Sequence, residues 1–220
     1  MRYFKLRFST EPSIVGEYPQ CNPKKDVDPE GTNGYRLVRW NSFPDFLPHV
    51  ELELNPKARW TDFLSSVGPN HGFIISSDLK QIIEQYELPS RAFYPIKVHS
   101  KMETKDYFWF HFINNEFWDW VDKKETKLYL RSILPDERDK IIEEANLDND
   151  LEGFMEMARS KPSLTNYYWE RLVFNNDFPN LDFFTTLFPS MHSIVSQRLI
   201  NAFESAGITG YETKDFSVHE

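Results

Sequence analysis

The sequence predicts an α+β fold: a mostly antiparallel, aromatic-rich sheet carrying two serine-capped helices, with an acidic helical insert. Three observations point there. Period-two runs of aromatic and β-branched residues recur along the chain, two segments instead carry a helical stripe behind a serine, and residues 135–160 concentrate acid. At 220 residues and 26.2 kDa the chain is long enough to bury a sizeable core. No Gly/Ser linker divides it, so one continuous domain over 1–220 is expected.

Residues 1–8 open a strand, with Leu6 and Phe8 continuing a period-two pattern behind Tyr3 and Phe4. They lack the continuous apolar stretch of a signal peptide. Residues 9–33 hold Pro12, Pro19, Pro23 and Pro29. At that density neither helix nor central strand is expected, and a loop so long is either functional or mobile. Residues 35–40 read as a strand and 51–54 as a short alternating one. Phe73-Ile74-Ile75-Ser76 reads as a buried strand. Ser76 or Ser77 then caps a helix with Leu79, Ile82, Ile83 and Tyr86 on its buried face, stopped by Pro89. Residues 91–98 and 107–113 form an antiparallel hairpin.

Pro135 is placed to open a helix edged by Ile141, Ile142 and Ala145, and 151–159 a second one exposing Glu152 and Glu156. Nine acids and three bases give 136–160 a net charge of −6, out of −9 for the chain. Near the C-terminus, Ser193-Ile194-Val195-Ser196 leads into a helix with Leu199, Ala202, Phe203 and Ala206 on one face. Gly207 is its left-handed end, and 208–216 make a final strand. Set 120 residues back, this matches the earlier unit: Ile194 falls on Ile74, Ser196 on Ser76, Leu199 on Leu79 and Glu204 on Glu84. The echo is either a duplication, 73–113 with 193–216, or the common recurrence of a capped helix behind a strand.

Chemistry is sparse. No phosphate loop, dinucleotide fingerprint or nucleophile elbow is present. Asp148-Asn149-Asp150-Leu151-Glu152-Gly153 opens like a calcium loop but puts Arg159 where a bidentate carboxylate is required. His99 and His111, facing each other across the hairpin, are one candidate metal pair, with no third ligand at telling spacing. Cys21 has Lys24 and Lys25 nearby, which would activate a thiol, but an incidental thiol is the plainer reading. As the only cysteine it forms no intramolecular disulfide, which fits a reducing compartment. No catalytic residue, cofactor or metal is therefore expected. Trp118-Asp119-Trp120, beside Asn114, Asn115 and Glu116, offers stacking faces to a sugar or a partner protein, unless the core absorbs both rings. A net charge of −9 with a pI near 5.2 argues against a nucleic-acid partner. The longest apolar run, 107–113, is far short of a membrane span, so a cytoplasmic location is expected.

The segment Ile74-Ile75-Ser76-Ser77-Asp78-Leu79, followed by the hairpin through Tyr94-Pro95-Ile96 and Tyr107, resembles a family of immunity proteins from bacterial polymorphic toxin systems, the eleventh immunity class. The closing run from Ile194-Val195-Ser196 to Gly207-Ile208-Thr209-Gly210 resembles the same family's C-terminal signature. Leu88-Pro89 departs from the glycine turn expected after the first helix, and the acidic insert is no part of the pattern. The resemblance implies a cytoplasmic inhibitor that binds a toxin domain and is not an enzyme. With the acidic insert, a basic toxin is the expected partner, and Glu143, Glu144, Asp148, Asp150 and Glu152, with Trp118 and Trp120, are the candidate contacts. Two alternatives stand beside it: a hydrolase using scattered carboxylates and His111, and a carbohydrate- or peptide-binding module built on Trp118, Trp120 and residues 167–169.

Overall fold

A computed structural model describes residues 1–132, 134, 141–147, 152, 156, 160, 165–187, 190–216 and 218–219. Strands outweigh helices. In chain order they are β1 (Tyr3–Phe8), α1 (Pro12–Val15), β2 (Cys21–Pro23), β3 (Glu51–Leu54), β4 (Phe63–Leu64), β5 (Phe73–Ser76), α2 (Ser77–Ile83), β6 (Ser90–His99) and β7 (Thr104–Ile113). There follow α3 (Phe117–Trp120), β8 (Lys127–Ser132), β9 (Ile141–Asn146), β10 (Thr165–Val173), β11 (Phe183–Thr185), β12 (Ser193–Ser196), α4 (Gln197–Ser205), β13 (Tyr211–Phe216) and β14 (Val218–His219). These strands form a six-stranded sheet β2-β3-β6-β7-β5-β4 and two four-stranded ones, β11-β12-β1-β13 and β14-β10-β8-β9. Pairing is antiparallel except for β3 with β6 and β10 with β14.

The strand registers show two structural repeats. Phe63 and Leu64 pair with Ile75 and Ile74, and 120 residues on Phe183 and Phe184 pair with Val195 and Ile194. The parallel contacts repeat as well: Leu52 with Val98 and Glu53 with His99, then Leu172 with Val218 and Val173 with His219. Asn55 and Asn175 play matching parts, each amide side chain donating to a backbone carbonyl, Pro19 O at 2.6 Å and Asp119 O at 2.7 Å. The correspondence therefore runs from 51–99 to 171–219, well beyond the segments that echo each other in the sequence.

The first strand of each repeat is exchanged. β1 precedes the first repeat in the chain but inserts between β12 and β13 of the second. β7, which precedes the second, inserts between β5 and β6 of the first. Ser196 pairs with Tyr3 as Ser76 pairs with Tyr107, which aligns Tyr3-Phe4 and Phe8 on Tyr107-Phe108 and Phe112. Such reciprocal contact is the geometry of an isologous interface held within one chain. Its core is shared: Phe63, Phe73, Leu79 and Ile83 bury against Phe183, Val195, Leu199 and Phe203. Each such side chain contributes on the order of 1.5–3 kcal/mol through its burial.

Both helices that pack on this core start the same way. The Ser76 hydroxyl donates to Asp62 Oδ1 (2.8 Å) and accepts from the Leu79 N–H (3.2 Å). The Ser196 hydroxyl donates to Asp182 Oδ1 (2.5 Å) and accepts from the Leu199 N–H (3.2 Å). The carboxylate accepts the hydroxyl's hydrogen bond, so an oxygen lone pair is left facing the helix end, a cap worth about 1 kcal/mol.

Four expectations change. Residues 35–40 contain a 3₁₀ turn, Tyr35–Leu37, not a strand. Buried Tyr35 and Val38 lie three apart, and the Val38 N–H returns to the Tyr35 carbonyl, so no neighbouring strand is needed. The proline-rich stretch does hold a helix, while its strand β2 is an edge strand and not the central one excluded. Pro12 sits in the first turn of α1, where its missing N–H is harmless, and Pro23 ends β2 at a sheet edge. The third change is in the acidic insert, where 141–146 is the strand β9, bonded to β8 with Leu128 opposite Ala145 and Leu130 opposite Glu143. Pairing with an apolar strand overrides the local preference of the Glu- and Ala-containing segment, and acidic side chains on an edge strand discourage further pairing. The fourth concerns the candidate histidine pair, which does not meet across the hairpin. Register sets His99 opposite Thr104 and His111 opposite Ala92, seven residues along the hairpin, or about 23 Å.

Candidate functional site

A cleft of about 570 Å³ opens where the reciprocal elements of the two repeats meet. Its walls come in matching pairs: Phe8 with Phe112, Thr10 with Asn114, and the His71–Gly72 turn with Met191–His192. Junctions between structural units are frequent sites for ligands and partners. Gly72 (φ 97°) holds the first of these turns against β7, since a Cβ there would lie 1.9 Å from the Phe110 carbonyl oxygen. The indole N–H of Trp109 donates to the His71 carbonyl on the same turn. The second turn is closed by Thr186, whose hydroxyl donates to Ser190 O (2.7 Å) and accepts from the His192 N–H (2.9 Å). The buried Asn114 amide donates to Thr185 O (2.7 Å) across the floor.

One side of the mouth has no counterpart from the other half among the described residues. Tyr18 and Trp40, from the loops around β2, are about half exposed, at 53% and 47%, and Met191, from the second repeat, lines the same cleft at 62%. The connection between β2 and β3 also exposes Leu37, Phe43 and Leu47. Single exposed apolar side chains are ordinary, but their concentration in one segment beside a cleft is not. Electrostatically the lining is quiet. Burial, then the charge of Lys5, pushes His192 down to about 4. Burial alone lowers His71. Arg7 is committed to Glu212, through Nε at 3.0 Å and Nη2 at 2.7 Å. The Thr10 N–H above all, then Arg7 and Ser9, draw the Glu212 carboxyl below its usual range against the opposing effect of burial. At neutral pH the cleft thus presents neutral imidazoles, amides and aromatic faces.

The contacts expected from sequence are elsewhere and are scattered. Trp118 and Trp120 occupy the single turn α3 and are half-buried, Trp118 against Trp169 (5.8 Å) and Trp120 against Phe178 (5.8 Å). Glu143 and Glu144 are in β9, Glu144 exposed, and Glu152 is exposed in helical conformation. Asp148 and Asp150 lie outside the described residues. Cys21 is fully buried, and burial raises its thiol to about 12, which overturns the activated-thiol reading. His111 is buried between Phe43 and Trp109, with neither ring nitrogen in a well-formed hydrogen bond among the described residues. Burial, then His71, pushes it down to about 4 against the opposing effect of the Arg39 backbone. No group of three or more His, Cys, Asp or Glu able to hold a metal occurs among the described residues. Nor is any helix among them long and apolar enough to cross a membrane.

No local pattern in the sequence singles out Tyr18, Trp40, His71 or His192. Trp40 in particular ends the run 35–40 that reads as a strand, which hides its exposure. No protein-family model and no curated protein matches the chain.

Proposed function

We propose that the protein is a non-enzymatic binding protein of the immunity type, which neutralises a toxin domain by direct contact at the mouth of the cleft between its repeats. The observation that carries this reading is the exposed rim of Tyr18, Trp40 and Met191 over a preformed concavity. Tyrosine, tryptophan and methionine are the residue types enriched where proteins meet, and a few such anchors supply most of the binding energy. The exposed Glu144, Glu152 and Glu156 add a negative field that speeds capture of a basic partner. The family resemblance supplies the toxin as the class of partner.

Capture from native extract, followed by titration of the purified partner, tests this. Tyr18→Ala with Trp40→Ala is expected to weaken binding about 30-fold or more, the loss of about 2 kcal/mol at a central anchor. Equal affinity of wild type and double variant contradicts the reading. A second reading, a sugar held in the cleft, is favoured by the neutral polar lining and two aromatic faces. It calls for the same variants against a panel of neutral oligosaccharides.

A further inference from the structure

The two repeats differ in charge beside the carboxylate that caps each helix, and from this we infer that the pocket beside Asp62 is a guanidinium site, built to take an arginine side chain of another protein. In the second repeat the fully buried Asp182 accepts from Arg198 through Nε to Oδ1 and through Nη2 to Oδ2 (2.5 Å). The Ser196 hydroxyl (2.5 Å, to Oδ1) and the Glu87 N–H (3.0 Å, to Oδ2) complete its shell. Glu87 belongs to the loop after α2, so this carboxylate ties the second repeat to the first.

Asp62 stands in the same place in the first repeat. Its Oδ1 accepts from Ser76 (2.8 Å), and its Oδ2 accepts the N–H and hydroxyl of Thr209, both at 2.9 Å, from the loop after α4. The position that matches Arg198 is Asp78, which is exposed. No ion pair reaches Asp62 or Asp78 among the described residues. Oδ1 therefore keeps the acceptor site that Nε of Arg198 fills on Asp182, since a carboxylate oxygen offers about two lone pairs. Beside it opens a pocket of about 320 Å³ that also includes Trp60 and Tyr107.

The two rings stack, with centroids 6.0 Å apart and planes at 18°. The Trp60 face already receives a cation, the Lys105 ammonium at 4.8 Å, while Lys105 is paired with Glu103 at 3.4 Å. A planar, always-charged fork suits two carboxylates beside an aromatic wall better than a point-charge ammonium does. The molecule thus carries one copy of this clamp closed by its own arginine and one copy open to an arginine from outside.

The test needs no partner protein, so it stands or falls separately from the reading of the cleft. The indole N–H of Trp60 is followed by NMR while N-acetylarginine N-methylamide, the matching citrulline derivative and free arginine are titrated in. The expected result is a saturating shift with the arginine derivative and binding at least tenfold weaker for neutral citrulline. Asp62→Asn should weaken it at least tenfold. Asp78→Arg should abolish it and raise Tm, the introduced guanidinium closing on Asp62 as Arg198 closes on Asp182. Equal binding of the arginine and citrulline derivatives overturns the inference, as does unchanged binding in the folded Asp78→Arg protein. Free arginine binding more tightly than the derivative overturns the assignment to a protein side chain.

Discussion

The two repeats share a frame and differ in what is attached to it. Positions that face the common core keep their character, as Phe63 and Phe183, Leu79 and Leu199, and Phe8 and Phe112 do. The connection that leads into each repeat does not. Before β3 it is the apolar-tipped loop from β2; before β10 it is the stretch from β8 that holds β9 and the acidic residues. Reciprocal strand exchange explains the contrast. A change at the shared core disturbs both repeats at once, whereas a connection at the periphery costs little to alter.

The largest expected effect tests whether the core is shared. Phe63→Ala and Phe183→Ala each remove a fully buried ring and should each cost about 3–5 kcal/mol by denaturant unfolding. Unequal losses, with one near zero, would break the equivalence. Next comes the pair of cap carboxylates. Asp182→Ala strips Ser196, Arg198 and Glu87 of their acceptor and should cost about 3 kcal/mol, against about 1–2 for Asp62→Ala, which orphans no cation. The reverse order would sink the comparison of the two clamps.

A smaller effect concerns acid. His111 is fully buried and titrates near 4 rather than 6.5, so the unfolded chain binds its proton first as pH falls. Stability from this group is complete above 6.5 and is lost between 6.5 and about 4, by on the order of 2–3 kcal/mol. His111→Phe should flatten Tm over that window, while a profile as steep as wild type would assign the loss elsewhere. The smallest expected change is at Gly207, which ends α4 at φ 67° with no atom within 4 Å of where a Cβ would lie. Gly207→Ala should cost about 1 kcal/mol, the conformational penalty alone. Gly72→Ala, with a backbone oxygen in its way, should cost clearly more.

Much of the frame is legible in the sequence. The stripe Leu79, Ile82, Ile83 behind Ser76, and its counterpart at Leu199 and Phe203, announce both helices because burial imposes a period. The hairpin of β6 and β7 is legible for the same reason. The strand exchange is not, because Tyr3-Phe4 and Tyr107-Phe108 align only once the cross-strand register is known, and register is a long-range property. Strand β9 reads as helix because Glu143, Glu144 and Ala145 favour helix locally, while the neighbour that decides, β8, lies elsewhere in the sequence. Of the site, the long proline-rich loop stands out as functional or mobile, but the exposure of Trp40 and the half-burial of Trp118 depend on packing that no local pattern encodes.

Hydrogen exchange on the protein alone and bound to its captured partner tests the central claim most directly, that recognition occurs at the junction of the two repeats. The expected result is new protection at the amides around Tyr18, Trp40, His71 and His192. Protection confined to β9 and the acidic residues beyond it, with the cleft unchanged, would contradict it.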